Sequence, residues 1–179
     1  MKGNFLKFGL KPLFVAVPAI MFANGALANS GDLTIIGSVS AQTCDISVTS
    51  ASGGPVLSLD LGTVAASGFG SEVVFHLKPD TSNTACDTTN MNADVTWSGS
   101  DLGPNGIENG SGTATGTRAL LKAKPFGALD QFITSANPTY TFLGPQMQGD
   151  GSLQFAAQLS AGSTAGTYSS TVSYTVSYN

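Results

Sequence analysis

Charge is scarce in this 179-residue chain: seven Lys and Arg, eleven Asp and Glu, and one His. The net charge of −4 and the absence of any basic run exclude the cationic face that nucleic-acid binding requires. Two cysteines, Cys44 and Cys86, and the lone His76 supply too few ligands for a zinc centre. Catalysis needs a base, nucleophile or metal held in a cleft. His76 sits between Phe75 and Leu77 on the polar parity of a strand, the carboxylates are scattered, and no serine stands apart. Trp97 and Tyr140 are single aromatics on strands, a pattern of core positions. Neither enzyme activity nor a cofactor is expected. The glycine-rich stretch 99–116 lacks Gly-Lys-Ser/Thr and a following helix, so it is no phosphate loop, and Asp101, Asn105 and Glu108 do not follow calcium-loop spacing. It reads as the least structured part of the chain.

Long apolar runs are also missing, apart from one near the start. Lys2, Lys7 and Lys11 precede an apolar segment from Leu13 to Ala23, and Ala26-Leu27-Ala28 offers a small-x-small cleavage site. Residues 1–28 therefore read as a secretory signal peptide, too short and too interrupted at Pro18 for a membrane span. Its removal takes three of the seven cations, leaving Lys78, Arg118, Lys122 and Lys124 in one exported domain of ordinary size. Outside the cytosol, two cysteines predict a single Cys44–Cys86 disulfide, which would restrict the unfolded chain by about 4 kcal/mol.

What remains is β-patterned. Leu33, Ile35, Gly37, Val39 and Ala41 share one parity, Thr34, Ser38 and Ser40 the other, and Ile36 falls out of pattern. Gly37 puts a hydrogen where a core side chain belongs, so another group must come close there. Short strands follow at Cys44–Val48, Leu57–Leu61, Val73–Leu77, Ala93–Trp97, Arg118–Lys124, Tyr140–Leu143 and Ser152–Leu159, separated by Gly, Asn, Pro and Ser turns. No helix is supported. Alternating runs of this length predict an antiparallel sandwich of the immunoglobulin class. The final strand, Thr167–Asn179, runs to the last residue, with Val172, Tyr174, Val176 and Tyr178 on one face. Chain ends fray unless a neighbouring strand holds them.

Several of these features, taken in order, resemble the pilins of the chaperone-usher family, the subunits of bacterial fimbriae. They are the leader, Ile35-Ile36-Gly37-Ser38-Val39 ahead of Cys44, the Cys44 and Cys86 pair, and Leu59-Asp60-Leu61-Gly62-Thr63-Val64. Phe155-Ala156-Ala157-Gln158-Leu159, Ala165-Gly166-Thr167-Tyr168 and the closing strand complete the set. Gly166 and Tyr178 match the family's glycine fourteen residues from the end and its penultimate tyrosine. The resemblance implies an incomplete immunoglobulin-like β-sandwich, residues 43–179, completed by a donor strand from a neighbouring subunit. Residues 29–42 would be the donor extension, with Leu33, Ile35, Gly37, Val39 and Ala41 filling the acceptor's pockets. Gly166, Val172, Tyr174, Val176, Tyr178 and Asn179 would form the groove and the surface held by a periplasmic chaperone before the outer-membrane usher mediates exchange.

The resemblance implies a fimbrial subunit at the cell surface, forming a homopolymer and supporting attachment to host surfaces. Two alternatives stand beside it. One is a subunit that itself binds a host glycan or glycoprotein, with Arg118, Lys122 and Lys124 as candidate contacts beside the loops 99–116 and 126–138. The other is a self-complete exported β-sandwich, in which Leu33 to Ala41 is an ordinary first strand. The length leaves no room for the extra domain of a two-domain tip adhesin.

Overall fold

The computed structural model describes residues 28–39, 44–80, 82 and 91–179. The leader as far as residue 27, Ala41 and Cys86 lie outside them. The described residues form two packed sheets. In the first, the strands run in the order β10 (Thr139–Phe142), β5 (Ala93–Ser98), β12 (Thr167–Tyr178), β1 (Ala28–Val39) and β3 (Ser58–Ala65). The second is ordered β2 (Ile46–Ser50), β4 (Phe69–Pro79), β11 (Leu153–Ser160), β8 (Arg118–Ala123), β7 (Gly106–Glu108) and β6 (Leu102–Gly103), with β9 (Gln131–Ile133) also paired to β8. Most pairings are antiparallel, but β1 and β12 run parallel.

Alternation builds the core. Leu33 and Ile35 of β1, Phe75 and Leu77 of β4, Val95 and Trp97 of β5, and Val172, Tyr174, Val176 and Tyr178 of β12 all turn inward and are buried. Phe155 stands at the centre: its ring lies 5.2 Å from Trp97, 5.5 Å from Phe142 and 5.8 Å from Phe75. Edge-on and offset packing of this kind adds roughly 0.5–1.5 kcal/mol per ring pair beyond the area buried. Ile36, out of pattern in the sequence, points outward and is 54% exposed. Leu57, expected to begin a half-buried strand, precedes β3 and is exposed.

The segment Leu59-Asp60-Leu61-Gly62-Thr63-Val64 switches parity within one strand. Leu59, Leu61 and Val64 are all buried, although Val64 breaks the period of two. A bulge accounts for it: Gly31 of β1 lies opposite Gly62 while Asp32 lies opposite Asp60, leaving Leu61 as the extra residue. Gly62 takes φ +75°, which glycine adopts without penalty, and its N–H donates to the Asp60 carboxylate at 2.8 Å.

The stretch 99–116 is more ordered than its composition suggested. It contributes β6 and β7, and Ile107 is fully buried. Asn109 ties it to the start of β12. Its Nδ2 donates to the carbonyls of Ala114 at 2.8 Å and Thr167 at 3.1 Å, while its Oδ1 accepts from the N–H groups of Gly112 and Ser169 at 2.9 and 3.0 Å. One side chain therefore satisfies four backbone groups that a glycine-rich loop would leave to water.

Candidate functional site: a strand slot in the first sheet

In this single chain the place beside the C-terminal strand is taken by the chain's own first strand. The resemblance implied a neighbour's strand there. β1 lies between β12 and β3, with Gly31 beside Tyr168, Leu33 beside Ser170, Ile35 beside Val172, Gly37 beside Tyr174 and Val39 beside Val176. Leu33 is fully buried and Ile35 nearly so. The slot is therefore an interior position of the sheet, walled by two strands and floored by the core.

Size matching along the slot is specific. A β-carbon added at Gly37 would overlap the Tyr174 ring. One at Gly31 would stand 3.0 Å from Tyr168 Cδ1 and 3.2 Å from Leu159 Cδ1. The aliphatic pair Leu33 and Ile35 thus sits between a tight position at Gly31 and one at Gly37 where a β-carbon would collide with a buried ring. Gly37 was legible as a tight point; Gly31 was not. The missed signal was a spacing: Gly31 and Gly37 are six apart, as are Tyr168 and Tyr174.

The groove residues implied by the resemblance do converge. Val172, Tyr174, Val176 and Tyr178 form one buried face of β12. Burial pushes the Tyr174 phenol up and the Tyr168 and Tyr178 phenols up to about 12, because a phenolate cannot be solvated there. Tyr168 Oη donates to the carbonyl of Ile107 at 3.1 Å, whereas Tyr178 Oη is buried without a partner. Gly166, just ahead of β12, passes against the 109–114 loop so closely that a β-carbon would lie 2.6 Å from the Ala114 nitrogen. Asn179 closes the strand: its backbone pairs with Asn92 at 2.8 and 3.0 Å, and its Nδ2 donates to Asp94 at 2.8 Å. Cys44 is buried beside the core, and no described cysteine is a free thiol.

The cationic cluster lies elsewhere. Arg118 and Lys122 share the outer face of β8 and Lys124 follows directly after it, but two of the three charges are already engaged. Lys122 pairs with Glu72 across β11, and Lys124 lies 3.2 Å from Glu72 and 2.9 Å from Asp130. The Lys122 hydrogen bond is foremost in holding Glu72 below the usual carboxylate range, and the bond to Asp130 is foremost in raising Lys124. Arg118 makes no ion pair among the described residues, and its Nε is buried without a partner. His76 borders a shallow polar hollow of about 360 Å³ with Thr49, Gln148 and Ser152. The Lys78–Asp150 pair closes this hollow at 2.9 Å.

Taken together, fold and slot define a two-sheet β-sandwich whose first strand occupies an interior place beside its last. No family model matches the chain. It is 35% identical over 152 residues to the F107 fimbrial protein of Escherichia coli, covering 84% of this chain and 88% of that protein. It is 32% identical over 138 residues to the K99 fimbrial protein of Escherichia coli, covering 72% and 75%. The chain belongs to this family of fimbrial proteins. Membership implies a non-enzymatic subunit that assembles with other subunits in a fimbrium at the cell surface.

Proposed function

We propose that this protein is a structural subunit of a fimbria assembled by the chaperone-usher route, in which the N-terminal segment 29–42 of one copy fills the slot of the next. The observation that carries the reading is the place of β1: the first strand among the described residues holds an interior position in the sheet, between β12 and the edge strand β3, and only residues 40–43 separate it from Cys44. With the leader removed, β1 becomes the N-terminal strand and can leave without unthreading anything else. Its departure would open an apolar trough between β12 and β3 and strip backbone N–H and C=O groups of partners, a surface that invites another strand. Burial of Leu33 and Ile35 contributes roughly 3–6 kcal/mol before ordering costs, and the two backbone ladders add to it.

The resemblance to chaperone-usher pilins supplies the remaining parts of the reading. Residues 1–28 direct export, and the periplasm permits the Cys44–Cys86 disulfide. A periplasmic chaperone covers the trough with a strand of its own, contacting the β12 face and Asn179, until the outer-membrane usher brings the next subunit. Attachment to host surfaces then belongs to the fimbria. With Lys122 and Lys124 neutralised by Glu72 and Asp130, no observation favours the outer face of β8 as a receptor contact. The closed chain has the geometry of a self-complete sandwich, and the fimbrial relatives argue for exchange instead.

Electrophoresis of surface fimbriae tests the reading. Unboiled samples in detergent are expected to run as a ladder of multimers that boiling collapses to monomer. A monomer band in the unboiled lane would contradict it.

A further inference from the structure

Beyond the leader two asparagines are followed by glycine, Asn105-Gly106 and Asn109-Gly110, and the fold treats them in opposite ways. Asn109 is locked. Its side-chain amide bonds to four backbone groups through both its oxygen and its nitrogen. The next backbone nitrogen is held as well, because the Gly110 N–H donates to the Ser169 carbonyl at 3.1 Å and to the Ser170 hydroxyl at 3.0 Å. Asn105 has no such restraint. It follows Pro104 at the exposed tip of the hairpin that joins β6 to β7, and its side chain makes no hydrogen bond among the described residues. The fold also fixes the residue after it. Gly106 is buried with φ +129°, and a β-carbon there would lie 2.5 Å from the Ala119 carbonyl oxygen. Only glycine fits. The backbone nitrogen next to Asn105 therefore belongs to the residue that least hinders approach to a side-chain amide.

We infer that Asn105 is a site of spontaneous deamidation in the folded protein and that Asn109 is protected from the same reaction. The Gly106 backbone nitrogen attacks the side-chain carbonyl carbon of Asn105. A C–N bond forms to close a succinimide ring, the C–NH2 bond breaks, and the proton lost by the Gly106 nitrogen leaves with the amide as ammonia. Water then opens the ring at either carbonyl. One opening leaves Asp at position 105, and the other leaves an isoaspartyl linkage in which the main chain runs through the β-carbon. Solvent water is the only co-reactant. Either product adds a negative charge to a hairpin in which the Glu108 N–H already donates to the Asp101 carbonyl at 2.7 Å, so a third carboxylate joins two. The isoaspartyl product also lengthens the turn between β7 and the edge strand β6. Older subunits thus become more acidic at one defined end of the second sheet.

Ageing of the protein tests the assignment. Fimbriae sheared from cells are held in mildly alkaline buffer, either intact or unfolded by boiling into urea, and fragment mass spectra of the digested subunit locate each exchange of amide for acid. In intact fimbriae Asn105 is expected to convert at least roughly tenfold faster than Asn109, because Asn109 reacts only from the fraction of molecules in which its hydrogen bonds are open. In the unfolded chain the two rates are expected to converge. Equal rates in intact fimbriae would overturn the protection of Asn109. An unchanged Asn105 in intact fimbriae, beside conversion in the unfolded chain, would overturn the site itself. Isoelectric focusing supplies a second readout: aged wild-type subunit is expected to gain an acidic form that Asn105→Gln lacks. The same acidic form in aged Asn105→Gln subunit would place the reaction elsewhere and overturn the assignment.

Discussion

At the scale of single residues, the slot is a set of exchanges between hydrogen and ring. Gly37 yields its space to Tyr174 and Gly31 to Tyr168, so a larger side chain at either position meets a buried aromatic. Gly37→Trp is expected to abolish surface fimbriae, because the strand cannot seat in any copy, and electron microscopy of the bacteria checks this. Normal filaments from that variant would mean the register is wrong. The tyrosines make a second prediction. Burial holds Tyr168 and Tyr178 protonated up to about 12, against an ordinary value of 10.0. Their contribution to stability is complete below the unfolded value and is lost as pH rises from about 10 to about 12. Ultraviolet titration is expected to show delayed tyrosinate formation followed by alkaline unfolding. Ionisation of all four tyrosines near pH 10 would contradict the burial. The aromatic face of β12 was legible from alternation alone. Gly31 was not, because a glycine next to a polar turn looks like turn chemistry until its neighbour in space is known.

At the scale of elements, pattern located the long strands and missed the short ones. β4, β5, β8, β11 and β12 all lie where apolar parity put them, since each spans at least six residues and buries alternate side chains on one face or more. β6, β7 and β9 span two or three residues, too short for a period to register, and they depend on tertiary pairing with β8 or with each other. The order of the 99–116 stretch likewise comes from one side chain. Asn109→Ala should remove four hydrogen bonds and cost about 1–3 kcal/mol, given partial solvent access. Chemical denaturation measures that loss, and an unchanged midpoint would show that the loop holds β12 by other means. The parity switch in β3 was present in the sequence as Asp60 and Gly62. A bulge is nonetheless visible only when the partner strand is in place.

At the scale of the whole molecule, one chain closes a sandwich by lending itself its first strand, and the proposed exchange would place a neighbour's strand in that slot. The sequence patterns alone left open whose strand fills the slot. Alternation says that a strand at 33–41 buries one face but carries no information about the chain that receives it. The most direct measurement uses the Thr34–Thr171 pair, which is adjacent across β1 and β12. Fimbriae assembled from a mixture of Thr34→Cys chains and Thr171→Cys chains are boiled without reductant and run on a denaturing gel, with wild-type fimbriae beside them. Strand exchange between copies predicts a covalent dimer that reductant removes. Monomer alone from well-formed fimbriae would show that each chain keeps its own first strand, and would contradict the account.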